Sequence, residues 1–430
     1  MNEHFEQLFG LDETQQLLET MYGREQQEQQ IGRYRRCMEG YLANYGEIGT
    51  LNYFSAPGRT EIGGNHTDHN NGRVLAASIQ LDTIAAAAAV DSGVITVFSE
   101  GYPGLAVIHL DNLEPQEGEG GTAALIRGIA HGFQKHGYRI GGFNAYVSSS
   151  VLPASGLSSS ASFEMLICQI LSTFYNEGSL DAVMMSRIGK HAENLYWNKP
   201  SGMLDQMACA YGGMITIDFK EPTEPQIEPI PGTFEDAGYS LVIVSTGGNH
   251  ADLTEDYASI PNEMRAVAQQ FGAEVCRDLT AEMIYSRLTE LRDTVGDRAV
   301  LRALHYLEEN DRVGQQVEAI NAGEWQKVLK LITASGNSSW KWLQNIYQES
   351  VSREQGIALT LAITERFIDR IGEGACRVHG GGFAGVILAV LPHAAVAEYR
   401  ELIGRTTGKE LFTIRVREIG AVCLNTLLQA

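Results

Sequence analysis

The sequence predicts an α+β fold divided into two domains, and three observations predict it. The chain has 430 residues, 44% hydrophobic and 20% charged, which is enough for two cores of roughly 200 residues each and too long for one. Its first half alternates short β-branched runs with amphipathic helical patterns. Proline and acidic residues then cluster at Lys220-Glu221-Pro222-Thr223-Glu224-Pro225, where a boundary between domains 1–220 and 221–430 is expected.

Residues 12 to 46 place Leu17, Leu18, Met21, Tyr34, Met38 and Leu42 at helical spacing, so helices precede the first motif. From Val74 to Phe98 the runs Val74-Leu75-Ala76-Ala77 and Val94-Ile95-Thr96-Val97-Phe98 read as paired strands. The run Ala85–Ala89 favours helix on propensity alone, but its setting between Ile84 and Val90 in a strand meander predicts a strand. Phe143–Ser148 and Met214–Phe219 read as further strands, and Ala161–Tyr175 and Asp181–Asn194 as helices. The second half is expected to run from a strand at Tyr239–Ser245 through several helices between 262 and 348 and a helix over 353–371. A glycine-rich loop, the strand Val386–Leu391 and a helix follow.

The net charge of -21 repels phosphate backbones and anionic lipid, so neither nucleic acid nor a membrane surface is an expected partner. Any anion site must be locally positive. Cys37, Cys168, Cys209, Cys276, Cys376 and Cys423 are scattered singly, unlike a zinc site or a disulfide scaffold, and a reducing cytoplasm is expected. The opening Met1-Asn2-Glu3-His4-Phe5-Glu6 lacks a signal peptide's basic and apolar regions, and no apolar stretch reaches roughly 18 residues. Neither secretion by that route nor a membrane span is expected.

Leu152-Pro153-Ala154-Ser155-Gly156-Leu157-Ser158-Ser159-Ser160-Ala161-Ser162 joins a strand to an apolar helix. Small residues let backbone approach a phosphate, while the free N–H groups and dipole of the first helical turn favour an anion. Its hydroxyls offer oxygen to Mg²⁺. The plainer reading, a flexible connection with an N-cap, stands level with this one on the residues alone. The spacing excludes a Walker A loop.

Ala56-Pro57-Gly58-Arg59-Thr60-Glu61-Ile62-Gly63-Gly64-Asn65-His66-Thr67-Asp68-His69-Asn70-Asn71-Gly72 reads as a glycine-rich turn between strands, dense in donors and acceptors. That density suits a sugar's hydroxyls, against the alternative of a solvated turn. His66 and His69 lack the companions a metal site needs. In Asn198-Lys199-Pro200-Ser201-Gly202-Met203-Leu204-Asp205-Gln206 an aspartate sits among small and apolar residues ahead of a helix or turn, where it is either a base or a capping residue. The loop Val378-His379-Gly380-Gly381-Gly382-Phe383-Ala384-Gly385 lacks the Gly-x-Ser-x-Gly partner of an esterase. It reads as a place where backbones come close beside the phosphate loop.

Taken in order, the three loops resemble the GHMP kinases, and Gly58–Gly72 resembles the galactokinase signature. Ala192-Glu193-Asn194 and Tyr257 in Thr254-Glu255-Asp256-Tyr257 extend the likeness over nearly the whole chain. The resemblance implies a ribosomal-protein-like N-terminal domain, a ferredoxin-like C-terminal domain, and ATP-dependent phosphorylation of the anomeric hydroxyl of galactose. It implies Asp205 as the base, held ionised by Arg59, which also stabilises transition-state charge. It further implies ATP on Gly156, Leu157, Ser158, Ser159, Ser160, Ala161 and Ser162, Mg²⁺ on Ser160 and Glu193, and the sugar on Asn65, His66, Asp68, Gly202 and Tyr257. The expected partners are a small-molecule sugar and ATP, with the chain a monomer or weak dimer.

Galactokinases usually carry Glu where this chain has Asn65 and Tyr where it has His69, and the Glu faces the sugar's 6-hydroxyl. An amide there would no longer repel a C6 carboxylate. Plant galacturonic acid kinases share a histidine at the position of His69 and lack the Glu, so galacturonate is an alternative to galactose, and arabinose is a third. A non-catalytic sugar and ATP sensor is a further alternative. The intact Gly156–Ser162 loop, Arg59 and Asp205 favour an enzyme.

Overall fold

The computed structural model describes residues 2–102, 104–151, 156–199, 201–247, 253–348, 351 and 353–426. Helices α1 (Asn2–Phe9), α2 (Asp12–Tyr22) and α3 (Gln27–Tyr45) open the chain. Strands β1 (Asn52–Gly63), β2 (Arg73–Val90), β3 (Val94–Ser99) and β4 (Leu105–His109) follow, then helix α4 (Gly121–Lys135) and strand β5 (Gly142–Ser149). Helices α5 (Ser159–Tyr175), α6 (Ala182–Leu195) and α7 (Leu204–Tyr211) lead to strands β6 (Met214–Asp218) and β7 (Gln226–Ile230). These strands share one sheet in the order β1-β2-β5-β3-β4, with β6 on the free half of β2 and β7 on β6.

Strand β8 (Tyr239–Gly247) begins a second sheet. Helices α8 (Thr254–Gln269), α9 (Ala281–Ser286), α10 (Leu288–Thr294), α11 (Asp297–Asn321), α12 (Trp325–Ser338) and α13 (Gly356–Ile371) follow. Helix α8 starts well before residue 262 because Pro261 lies inside it, whereas a proline in sequence reads as a helix boundary. Strands β9 (Ala375–His379) and β10 (Gly385–Pro392), helix α14 (Val396–Thr407) and strand β11 (Leu411–Ile414) complete the antiparallel order β11-β8-β10-β9. The chain then returns to the first sheet, where β12 (Val422–Cys423) pairs with β1.

The alanine run is strand, as its setting predicts. Ala85 and Ala87 pack into the core beneath α4, α5 and α6, while Ile84, Ala86 and Ala88 face the core formed with α1, α2 and α3. Period-two alternation thus buries both faces, and the small side chains let helices approach on each side. Two expectations need correction. The runs at 74–77 and 94–98 are strands of one sheet but are not paired with each other, since β5 lies between β2 and β3. Of the turn expected over Ala56–Gly72, residues 56–63 belong to β1, and only residues 64–72 turn. Glycine serves close approach there: a Cβ on Gly58 would lie 2.7 Å from the Leu157 carbonyl oxygen, and one on Gly63 would lie 2.0 Å from Gln316 Oε1. All six cysteines are free and buried. Among the described residues no helix is long and apolar enough to cross a membrane.

Asp82 on β2 is fully buried and binds four separate parts of the chain. It accepts from Arg33 of α3 at 2.7 Å, from Arg417 near the C-terminus at 3.2 Å, from Ser55 of β1 and from the Tyr22 hydroxyl of α2. Burial works against its charge, but the two arginines outweigh this and hold the carboxyl below its ordinary value. Its stabilisation is therefore present above the unfolded pKa of about 3.9 and is lost on acidification below it. Asp82→Asn leaves both guanidiniums without their anion, and a loss of about 3–5 kcal/mol in urea unfolding at neutral pH is expected.

Candidate active site

Strand β1 carries the site because it is buried along almost its whole length yet places Arg59 and Glu61 two residues apart on one face. Each charge must find a partner. Arg59 Nε donates to Asp205 Oδ1 at 2.7 Å, and its Nη1 donates to the Gly156 carbonyl. Asp205 stands in the first turn of α7, where a carboxylate also suits the helix dipole. Its second oxygen accepts from the Ser158 hydroxyl. Burial alone would raise the Asp205 carboxyl, but Arg59 and Ser158 more than offset it and bring it to about 2.

The loop before α5 closes around this pair. Ser158 adopts a left-handed conformation at φ 60°, as does Gly156 at φ 70°, and the Arg59 N–H bonds the Leu157 carbonyl at 3.0 Å. Ser160 donates to Glu193 Oε1 at 2.9 Å, joining the loop to α6. Leu157 and Ala161 are packed in the core, and the Ser162 hydroxyl donates to the Ala56 carbonyl at 2.8 Å. Leu157, Ala161 and Ser162 therefore have backbone, not side chain, to offer a phosphate. Ser159 is partly buried in the first turn of α5. Leu152, Pro153, Ala154, Ser155 and Pro200 lie outside the described residues.

The remaining expected residues line the adjoining turn. Asp68 packs against Gly202, where a Cβ would fall 1.8 Å from Asp68 Oδ2. His66, at φ 60°, holds the Gly381 carbonyl at 2.9 Å through Nε2. Burial and the neighbouring His69 bring its pKa down to about 3, so it is neutral. Tyr257 lies on Gly381, where a Cβ would meet its ring at 2.4 Å, and its hydroxyl reaches the Gly382 carbonyl at 3.3 Å. Asn65 is buried with its amide engaged: Nδ2 donates to Glu61 and to the Gly380 carbonyl, while Oδ1 accepts from Asn345 at 2.9 Å. To reach a ligand, Asn65 would have to give up one of these bonds.

Several residues of the site were not anticipated. Arg377 of β9, fully buried, donates to Glu61 at 2.7 Å and to the Ile62 carbonyl at 2.9 Å, linking the second sheet to β1. His379 accepts the Glu61 N–H at Nε2, which leaves Nδ1 to carry the proton without a partner, facing Gly156. Glu309 of α11 takes the Gly64 N–H at 3.0 Å, and His305 bonds the Asn65 carbonyl at 3.0 Å. Spacing offered a signal for that last pair, since His305, Glu309 and Arg312 share one face of α11. Gln206 bridges Glu164 and Glu193 at 3.0 Å to each. A separate groove of about 650 Å³ between α13 and α14 is lined by Arg366, Arg370, Arg405, Glu398 and Glu401, and none of the motif residues lines it.

Two family models match the N-terminal half of the chain. Residues 40–89 match the galactokinase galactose-binding signature, and residues 111–213 match the GHMP kinases N-terminal domain. A galactokinase of Lactococcus lactis is 29% identical over 85% of this chain and 90% of its own, and one of Glaesserella parasuis is 28% identical over 83% and 89%. The crystal structure of Lactococcus lactis galactokinase complexed with galactose superposes with a TM-score of 0.78 at 24% identity, covering 90% of this chain and 99% of that one. Methanococcus jannaschii mevalonate kinase gives 0.60 at 17% identity, covering 86% and 99%. Fold and loops together are those of the GHMP kinase family. Within it the relatives are galactokinases, and this chain is a sugar kinase.

Gly202→Ala would push the Asp68 carboxylate aside without touching either core. The acceptor KM is expected to rise about tenfold or more, equivalent to ~1.4 kcal/mol, with little change in the thermal unfolding temperature. Steady-state kinetics and a melting curve on the same preparation check this.

Proposed function

We propose that this chain transfers the γ-phosphoryl group of ATP to the C1 hydroxyl of galactose, giving galactose 1-phosphate and ADP. The observation that carries the reading is the junction of Arg59, Asp205 and Gly156, which fixes a carboxylate beside the phosphate loop. In the step, O1 of the sugar bonds to the γ-phosphorus, the bond from that phosphorus to the β–γ bridging oxygen breaks, and the hydroxyl proton passes to Asp205. A carboxylate with a pKa of about 2 is always ready but is a weak base. Most of the barrier reduction therefore comes from positioning and from charge stabilisation by Arg59, which suits a loose phosphoryl transition state. Asp68 accepts two hydroxyl protons at once, and His66, Gly202, Asn65 and Tyr257 complete the sugar site.

The oxygen donors of Ser160 and Glu193 suit a hard cation, and the Lys199 ammonium already stands against both. Mg²⁺ held by Ser160 and Glu193 would neutralise the phosphate oxygens. Backbone N–H groups of the Gly156–Ser162 loop cradle the nucleotide. The two sheets support a two-domain division near residue 220, with β7 and β12 adding to the first domain from beyond it. Six free, buried cysteines support a cytoplasmic setting. A monomer or weak dimer binding only small molecules completes the proposal.

One observation favours a second substrate. Asn65 is neutral, and the nearby Glu61 charge is matched by Arg377, so no unpaired anion stands there to repel a C6 carboxylate. Galacturonate is the second reading.

ADP release by purified protein with Mg-ATP is expected to be fastest with galactose in a panel including galacturonate, N-acetylgalactosamine, arabinose and glucose. Preference for galacturonate transfers the assignment to the second reading, and no release with any sugar supports a sensor. Asp205→Asn is expected to lower kcat by about 10²–10⁴-fold while ATP binding persists. Because Asp205 is held so low, kcat/KM is expected to show no acid limb from this group between roughly pH 5 and 9. Arg59→Met, which removes the group holding it down, moves that limb upward in pH.

A further inference from the structure

Glu193 lies with its side chain 2% exposed, and a carboxylate so far from water stays ionised only when it is both hydrogen-bonded and paired. Gln206 serves Oε2 at 3.0 Å and Ser160 serves Oε1 at 2.9 Å, but neither carries charge. Lys199 supplies it. Its ammonium stands 2.6 Å from Glu193 Oε1 and 3.3 Å from Ser160 Oγ, and it lies 5.3 Å from the centroid of the Trp197 ring. The segment carrying it is fastened to α6, with Lys199 N–H on the Glu193 carbonyl at 3.0 Å and Ser201 N–H on Asn194 Oδ1 at 2.9 Å. This lysine is therefore not a surface charge that happens to touch an acid.

The geometry points to Lys199 as a tethered stand-in for the divalent cation, holding the position between Ser160 and Glu193 until metal and nucleotide arrive together. The inference rests on the reading above that Ser160 and Glu193 hold the metal. Two cations cannot share one carboxylate oxygen without strong repulsion, so the ammonium must withdraw when the metal enters. Lysine suits the exchange, since it is a point charge on a flexible four-carbon stem and moves without help from the backbone. The side chain is 46% exposed, so its path outward is open, and the phosphates of an incoming nucleotide offer it a new anion. Metal binding to the free protein is thereby penalised, and binding of metal and nucleotide becomes mutually favourable, as linkage requires.

Mn²⁺ binding to the nucleotide-free full chain, read as loss of the free-ion electron paramagnetic resonance signal, tests this directly. Lys199→Met is expected to bind Mn²⁺ about tenfold more tightly than the unaltered protein, and to gain more unfolding temperature from added Mn²⁺. Lys199→Gln, which keeps a polar head on the buried carboxylate, serves if the methionine variant folds poorly. Binding that is no tighter in these variants overturns the stand-in role. The double variant Glu193→Gln/Lys199→Met is expected to lose the gained affinity. If instead it keeps that affinity, Glu193 is not the metal carboxylate, and the proposed metal site falls together with this inference.

Discussion

Two opposite charges on one buried strand organise the molecule. Arg59 and Glu61 lie on the same face of β1, two residues apart, in a strand with almost no access to water. Neither can stay ionised without a partner, and the partners come from different places: Asp205 from the first turn of α7, Arg377 from β9 of the second sheet. The cost of leaving either charge alone is several kcal/mol, so the pairs fix how α7 and the second sheet meet β1. The strand departs from regular pairing with β2 on both sides of this stretch, between Pro57 and Arg59 and between Glu61 and Gly63. Irregularities of this kind re-aim side chains, and they occur often beside active sites.

The close backbone approaches follow from the same demand. Arg59 reaches Asp205 only because its own strand lies against the phosphate loop, and Gly58 permits that contact with the Leu157 carbonyl. Arg377 reaches Glu61 only because β9 ends over β1, where Gly380 and Gly382 at φ 71° and 84° turn the chain back beside Gly156. The glycine loops of β1 and β9 are thus places where three backbones converge on two ion pairs. Their polar neighbours, His66, Asn65 and Tyr257, fasten the converging loops to one another through the Gly380, Gly381 and Gly382 carbonyls.

Much of this was legible in the sequence, and the failures have a common cause. The helices before β1, the alanine strand, and the helix after the serine loop follow from local periodicity and setting. Arg59, Asp205 and Ser160 lie in segments whose small and polar residues drew notice, but their roles, and Glu193 altogether, were legible only through the resemblance to a family. Arg377 gives no signal, since no strand is expected ahead of the glycine-rich loop at 378–385 and an arginine beside a loop is ordinarily solvated. Only the burial of both faces of β9 makes it an interior charge. Lys199 gives no signal either, because a lysine in a turn is ordinarily solvated and nothing local says that a buried glutamate waits six residues back. The first half of the turn expected over Ala56–Gly72 failed for the converse reason: glycine signals flexibility in sequence, yet here it records what lies against the strand.

The surplus of acid in the chain makes the local balance of the site more informative. With a net charge of -21, the protein as a whole repels a triphosphate, and the field near the loop must be set by a few fixed cations. Arg59 is already matched by Asp205 and Arg377 by Glu61, so these pairs shape the site more than they attract an anion. Lys199 differs from both, because its partner is a carboxylate that a divalent ion also fits and its stem is free to move. Among the described residues, a site whose anchoring charges are locked and whose lysine sits on the candidate metal carboxylate places much of its electrostatic change on ligand binding in that side chain.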